Sequence, residues 1–373
     1  MEVLALECSG VNKIDLVKVK KQEPSDDSIL IKIGLCGICG TDIHGIEGKR
    51  SVKYPFIPGH EIVATIESIG KNANNSIKKI NSSDELKIGD RITINPRIVC
   101  GRCYYCQNLP QYQELCINAI TATSIGSSKP PHLFGGWAEY MYVLPGSEII
   151  KLPEKLSDEL SVLIEPYACA VGCIGRHLGG YGWISGKTSS LNETIVIYGV
   201  GAIGMLMLAG FYLAGAKQII AVDVNQEKLE LAKEFGAAHA FNVLYTTADE
   251  RIKKIKEITG GPGSAVVVEA CGVPETIAEG ISALRRRGRI YEMGHLLDAG
   301  KVEMDPNYIC RNEIEIMGNY AYPSSKSMVD ASELLGKHEL PYEKLIKIFN
   351  LDQYKDVIFD KKIDSTIKAV FRI

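Results

Sequence analysis

No stretch of this chain is long and apolar enough to read as a membrane anchor. The longest apolar run, residues 202–216, has 15 residues and is interrupted by Gly204, Gly210 and Gly215. A bilayer crossing needs about 20 residues, so the run reads as a buried core helix. An excess of either charge is also missing. Lys and Arg number 42 against 45 Asp and Glu, a net charge of −3, which leaves no basic footprint for nucleic acid or an anionic membrane. Residues 1–5 lack the basic leader and apolar stretch of a secretory signal. The expectation is a cytoplasmic protein in a reducing compartment, without nucleic-acid or membrane partners.

Cysteine, by contrast, is plentiful. There are 11, an odd number, and four of them crowd into residues 100–116. In an unexported chain such crowding points to metal before disulfides. At 373 residues the chain is too long for one typical core and fits about two domains.

The first third carries short β-type runs at 29–35, 61–69, 90–94 and 137–143, broken by Gly, Pro and Asn. These suit a small barrel-like β domain. Residues 71–87, rich in Asn, Ser and Lys, read as a solvated surface loop, and 179–193 as a linker. The rhythm then changes. Strand-like 194–198, 218–222, 265–270 and 289–293 alternate with helical 202–214, 226–235, 249–259 and 274–284. Such alternation means a parallel sheet covered on both faces, an α/β fold. The last stretch mixes one helix, 326–335, with β-like 357–360 and 367–373.

Gly199-Val200-Gly201-Ala202-Ile203-Gly204 fits G-x-G-x-x-G, between an apolar strand and an apolar helix. The first glycine permits a tight turn, the second admits a pyrophosphate, and the third lets helix pack on strand. Asp223 closes the next strand, 24 positions after Gly199 and near the usual spacing of about 20. A carboxylate there accepts ribose hydroxyls and repels a 2′-phosphate, which favours NAD over NADP. Lys228 lies near enough in sequence to leave some NADP use open.

Cys100-x-x-Cys103-x-x-Cys106 followed by Cys116 can close a thiolate tetrahedron around one structural Zn²⁺. An iron–sulfur cluster is the competing occupant. A second constellation is scattered over three segments, with Cys39, Thr41 and His44 in the first, His60 and Glu61 in the second and Glu165-Pro166 in the third. A thiolate, an imidazole and a carboxylate supply three ligands to a catalytic Zn²⁺ and leave its fourth position for substrate.

Taken in order along essentially the whole chain, these segments resemble the zinc-containing medium-chain dehydrogenase/reductase superfamily. Glu165-Pro166 is most similar to its sorbitol and threonine dehydrogenase branch. The resemblance implies a GroES-like β-rich catalytic domain over 1–165, a Rossmann domain over 166–320, and a return to the catalytic domain over 321–373. It further implies that Cys39 and His60 bind the catalytic zinc, with Glu61 or Glu165 as third ligand. Thr41 and His44 match a proton relay from alcohol to solvent. Relatives are commonly homodimers or homotetramers. The loop 71–87 and the nine residues between Cys106 and Cys116 are longer than the family pattern.

The reaction so implied is hydride transfer from a small secondary alcohol (polyol, sugar or amino alcohol) to NAD. An oxygen-donor ligand hardens the ion and suits substrates with a second hydroxyl. Two rivals share these motifs. A zinc-assisted isomerase or dehydratase retaining NAD would accumulate product without net NADH. A nucleotide-sensing protein with only structural zinc would bind NADH without turnover.

Overall fold

The computed structural model describes residues 1–180, 193–320, 322–360, 363 and 366–373. Most of the expected linker, 179–193, lies outside the described residues. The chain divides into two compact units. Unit 1 comprises Met1–Ala168 and Pro323–Ile373, and unit 2 comprises Cys169–Tyr322. Among the described residues no helix is long and apolar enough to cross a membrane.

Unit 1 opens with an antiparallel hairpin of β1 (Glu2–Gly10) and β2 (Lys13–Lys20). Next come β3 (Ile29–Gly37), α1 (Gly40–Ile46), β4 (Glu61–Ile69), α2 (Ala73–Ser76) and β5 (Lys78–Lys79). They are followed by β6 (Arg91–Ile94), the short helices α3 (Tyr104–Asn108) and α4 (Ala122–Ile125), β7 (Tyr140–Val143), β8 (Glu148–Lys151), α5 (Asp158–Ser161) and the start of α6 (Ile164–Gly175), whose residues from Cys169 on belong to unit 2. The segment 71–87 is not simply a solvated loop. It contains α2 and β5, β5 pairs with β8, and Ala73, Ile77 and Leu86 are buried. Those three apolar side chains, spaced among polar neighbours, anchor the segment to the core despite its composition.

Unit 2 alternates strand and helix. Its elements are β9 (Ile195–Tyr198), α7 (Ala202–Leu213), β10 (Ile219–Asp223), α8 (Gln226–Glu234), β11 (His239–Asn242), α9 (Ala248–Ile258) and β12 (Ser264–Glu269). They continue through α10 (Pro274–Ala283), β13 (Leu284–Glu292), α11 (Pro306–Arg311) and β14 (Glu315–Gly318). All pairings are parallel, in the order β11-β10-β9-β12-β13-β14. That is the doubly wound Rossmann order, with its switch point beside the first strand. β9 and residues 265–268 of β12 read as unbroken apolar runs because both faces of a parallel sheet are covered, and every residue of both strands is buried.

The chain then returns to unit 1 with α12 (Ser325–Lys337), β15 (Ile346–Asn350), α13 (Tyr354–Ile358) and β16 (Lys368–Arg372). The expected β-like segment at 357–360 is instead the end of helix α13 and the turn after it. Tyr354, Val357 and Ile358 are buried at helical spacing, so the short apolar run belongs to a helix face. β16 pairs parallel with β15 and antiparallel with β3, completing the order β15-β16-β3-β4-β6-β8-β5, with β7 on β3. Trp137 and Phe371 meet edge to face in the unit 1 core, ring centroids 5.1 Å apart. The C-terminal strand is therefore integral to the first unit.

Candidate active site and nucleotide turn

Three strand ends of unit 1 converge on one buried patch. β3 stops at Gly37, directly opposite Glu61, the first residue of β4. β16 begins at Lys368, and the Ile38 amide donates to the Ala369 carbonyl at 2.9 Å. Cys39 follows in extended conformation and caps α1. Its amide donates to Asp42 Oδ2 at 3.1 Å, while the Gly59 amide donates to Asp42 Oδ1 at 3.0 Å. Asp42 thus ties the Cys39 turn to the Gly59-His60 turn. A Cβ on Gly37 would collide with the Glu61 carboxylate, so the strand can approach only without a side chain.

The donor atoms of Cys39, His60 and Glu61 lie within 4.8 Å of one another. His60 Nδ1 sits 3.4 Å from Asp42 Oδ1. Burial opposes a charged ring there, but the Asp42 carboxylate outweighs it and holds the His60 pKa well above the ordinary value. A carboxylate behind one ring nitrogen fixes the ring and frees the other nitrogen for a metal. Lys368 Nζ donates to both oxygens of Glu61, at 2.6 and 2.7 Å, and to the Ile38 carbonyl at 3.2 Å. The two side chains of this ion pair are 4% and 1% exposed. Burial works against the Lys368 charge, yet Glu61 and Cys39 keep its pKa raised.

Glu165 stands in the first turn of α6 and is buried. Burial pushes its pKa up to about 7, opposed by His60 and reinforced by Glu61. Lys368 grips Glu61 through both oxygens, whereas for Glu165 burial outweighs the pull of His60 and Lys368. Thr41 and His44 lie three residues apart on α1, both half-buried. His44 has its pKa lowered by burial, with Glu47 opposing.

The four-cysteine loop is also assembled. Sγ of Cys100, Cys103, Cys106 and Cys116 all lie within 4.8 Å. The Cys103–Cys106 and Cys100–Cys106 sulfur separations are 3.5 and 4.0 Å. Zn–S bonds of about 2.3 Å make tetrahedron edges of about 3.8 Å, so the loop fits that ion. An N–H donated by Arg102 is the main cause holding the Cys100 thiol down at about 6, and the Cys106 N–H likewise lowers Cys103.

In unit 2 the glycine turn leaves β9 for α7. Gly199 has φ +84°, a left-handed conformation that glycine adopts freely. A Cβ on Gly204 would strike the Gly199 carbonyl, whereas one on Gly201 would meet nothing within 4 Å. Helix packing therefore requires the third glycine, and the open side at the second leaves room for a phosphate. Asp223 Oδ2 accepts the Val200 amide at 2.8 Å and Oδ1 the Asn225 amide at 2.9 Å. Ala202 and Ile203 begin α7.

Residues 25–154 match the family model described as alcohol dehydrogenase GroES-like domain, and residues 202–336 match zinc-binding dehydrogenase. The chain is 30% identical over 303 residues to sorbitol dehydrogenase of Bacillus subtilis (strain 168), covering 80% of this chain and 76% of that one. It belongs to the zinc-dependent medium-chain alcohol dehydrogenase superfamily. It is also 30% identical to L-threonine 3-dehydrogenase of Pyrococcus horikoshii, over 96% of this chain and 95% of that one. Its fold matches an alcohol dehydrogenase from Thermotoga maritima with TM-score 0.88, 24% identity and coverage of 100% and 99%. A zinc-binding dehydrogenase from Sinorhizobium meliloti 1021 bound to NADP matches at TM-score 0.83 and 27% identity, with full coverage of both chains. As a family member the chain is a zinc-dependent oxidoreductase acting on alcohols.

Two residues of the patch escaped sequence reasoning. Asp42 had a signal available, lying between Cys39 and His44 in the same segment. Lys368 had none, because its partner Glu61 is 307 positions away.

Proposed function

We propose that this dehydrogenase oxidises a small polyol, sugar or amino alcohol with NAD⁺ as hydride acceptor. The observation carrying the proposal is the convergence of Cys39, His60 and Glu61 donors, with the buried Glu165 carboxyl interacting electrostatically with His60 and Glu61. Cys39 and His60 would hold the catalytic zinc. Glu165 is the third ligand in this reading, since Lys368 already occupies both oxygens of Glu61. Bound zinc supplies a Lewis acid that lowers the pKa of an alcohol, and an oxygen donor suits it to vicinal hydroxyls. Cys100, Cys103, Cys106 and Cys116 would hold a second, structural ion. The Thr41 hydroxyl accepts the alcohol proton and hands it on toward His44, an imidazole able to release it near neutrality. The deciding assay follows NADH formation over a panel of polyols, sugars and amino alcohols, with zinc measured on the same sample. Equal turnover of simple aliphatic alcohols would overturn the substrate class.

His44 sets the expected acid limb. Burial disfavours its charged form, so the ring keeps its neutral form to a lower pH than an ordinary imidazole, whose value is 6.5. kcat/KM for oxidation should hold level down to that pH and decline only below it. His44→Gln should lose roughly 10²-fold together with that limb. An unaltered profile in the variant would remove His44 from the relay.

NAD preference in this reading rests on Asp223. Its oxygens are oriented by the Val200 and Asn225 amides and retain lone pairs for ribose hydroxyls. Asp223→Ser should raise the KM for NAD⁺ about 10- to 100-fold, as charged hydrogen bonds contribute about 1.5–3 kcal/mol each. KM for NADP⁺ should change little. An unchanged ratio of the two cofactors would discard the assignment.

A further inference from the structure

A third group of ligand-type side chains lies in unit 2, apart from every residue used above. Glu269 ends β12 and Glu292 ends β13, side by side in register, and His295 follows three residues later. Glu269 is 0% exposed. Its Oε1 accepts the amides of Cys271 at 3.0 Å and Gly272 at 2.9 Å, the Cys271 thiol at 2.8 Å and the Thr276 hydroxyl at 3.1 Å. Four donors on one oxygen lock the carboxylate. The other oxygen, Oε2, faces His295 Nδ1 at 3.3 Å but receives no hydrogen bond. Glu292 Oε1 lies 2.8 Å from the same Nδ1 and also accepts the His295 amide at 3.0 Å.

We infer that Glu269 Oε2, Glu292 Oε1 and His295 Nδ1 form a binding site for a first-row divalent cation. One ligand atom from each of the three residues lies within 4.8 Å of the other two. Metal–ligand bonds of 2.0–2.2 Å set neighbouring donors roughly 3–3.5 Å apart, close to the 2.8 and 3.3 Å found here. A proton cannot do the same work. One N–H at Nδ1 serves one acceptor, and Glu292 stands at hydrogen-bond distance, so the buried Glu269 oxygen stays unserved. Leaving a buried polar oxygen without a partner is costly, and a cation would satisfy both carboxylates at once. One imidazole with two carboxylates and no thiolate suits Mn²⁺ or Zn²⁺. The ion would tie the turns that leave β12 and β13, where Gly272 and Gly294 approach closely.

The proposal does not depend on the alcohol chemistry, and turnover is not among its readouts. The 373-residue, zinc-loaded protein is titrated with MnCl2 while free Mn²⁺ is followed by electron paramagnetic resonance. Thiolate sites disfavour Mn²⁺ and keep their zinc. The expected result is saturable binding of one Mn²⁺ per chain, displaced by added Zn²⁺, and weakened at least tenfold by Glu292→Gln or His295→Asn. Both side chains lie at the rim of the cluster, 25% and 14% exposed, so neither substitution empties the core as one at Glu269 would. Mn²⁺ should also raise the melting temperature of the unaltered protein and of neither variant. Absence of saturable Mn²⁺, or equal binding and equal melting shifts in all three proteins, would overturn the site.

Discussion

Replacing Cys39 with alanine is expected to eliminate alcohol turnover, by at least about 10³-fold, while NADH binding stays within a factor of about two. Cys39 is the sulfur donor of the unit 1 trio, and in the proposed site its thiolate would offset the charge of a divalent ion. Lewis-acid stabilisation contributes several kcal/mol, and each 1.36 kcal/mol is tenfold in rate. The glycine turn and Asp223 belong to unit 2, which has its own core, so nucleotide affinity has no reason to follow. Steady-state kinetics, NADH titration by fluorescence and zinc analysis together decide the matter. The variant should lose one equivalent of zinc, with the four-thiolate site keeping its own. Retained turnover, or a zinc content equal to that of the unaltered chain, would remove Cys39 from the ligand set.

The parts of this protein that could be read from its residues are those encoded locally. β9 and β12 each carry a four-residue apolar run, and α7 follows a glycine turn, so strand, turn and helix announce themselves within about 20 positions. The four-cysteine loop is likewise a matter of spacing. β11 and β14 escaped because they are the edge strands of the sheet. Glu315, Ile316 and Gly318 of β14 are exposed, so the residues need not be apolar. Residues 357–360 misled for a related reason: a short apolar run fits a strand or the end of a helix face equally well, and only packing decides. The GroES-like and Rossmann expectations carried over whole, because the family motifs occur in order.

The structure gathers Cys39, His60 and Glu61, three residue types that could hold a metal, yet nothing near Glu61 in sequence says which charge it faces. Lys368, at the start of an apolar strand, looks like an ordinary exposed strand end. Its burial is set by a pairing across 307 positions, and that pairing distinguishes the surroundings of Glu61 from those of Glu165. The same limit hid Glu269, Glu292 and His295, which only the register of two parallel strands brings together.

Removing that lysine should therefore destabilise the protein severely. Lys368→Ala leaves Glu61 buried, 1% exposed, with its charge unmatched, and breaking a buried pair from one side costs about 3–5 kcal/mol. The loss should appear as a large drop in the denaturation midpoint at fixed zinc loading. Pairing Lys368→Met with Glu61→Gln should recover most of it, since replacing both charges removes the uncompensated one. A surface ion pair would give less than about 1 kcal/mol and no such recovery. The double variant also separates the glutamates in function. If Glu165 is the carboxylate ligand, Lys368→Met with Glu61→Gln keeps catalytic zinc, whereas Glu165→Gln loses it. Loss of zinc from the double variant, with Glu165→Gln retaining it, would transfer the ligand role to Glu61. In that outcome the lysine would be a counter-charge that must release its partner before the metal can bind.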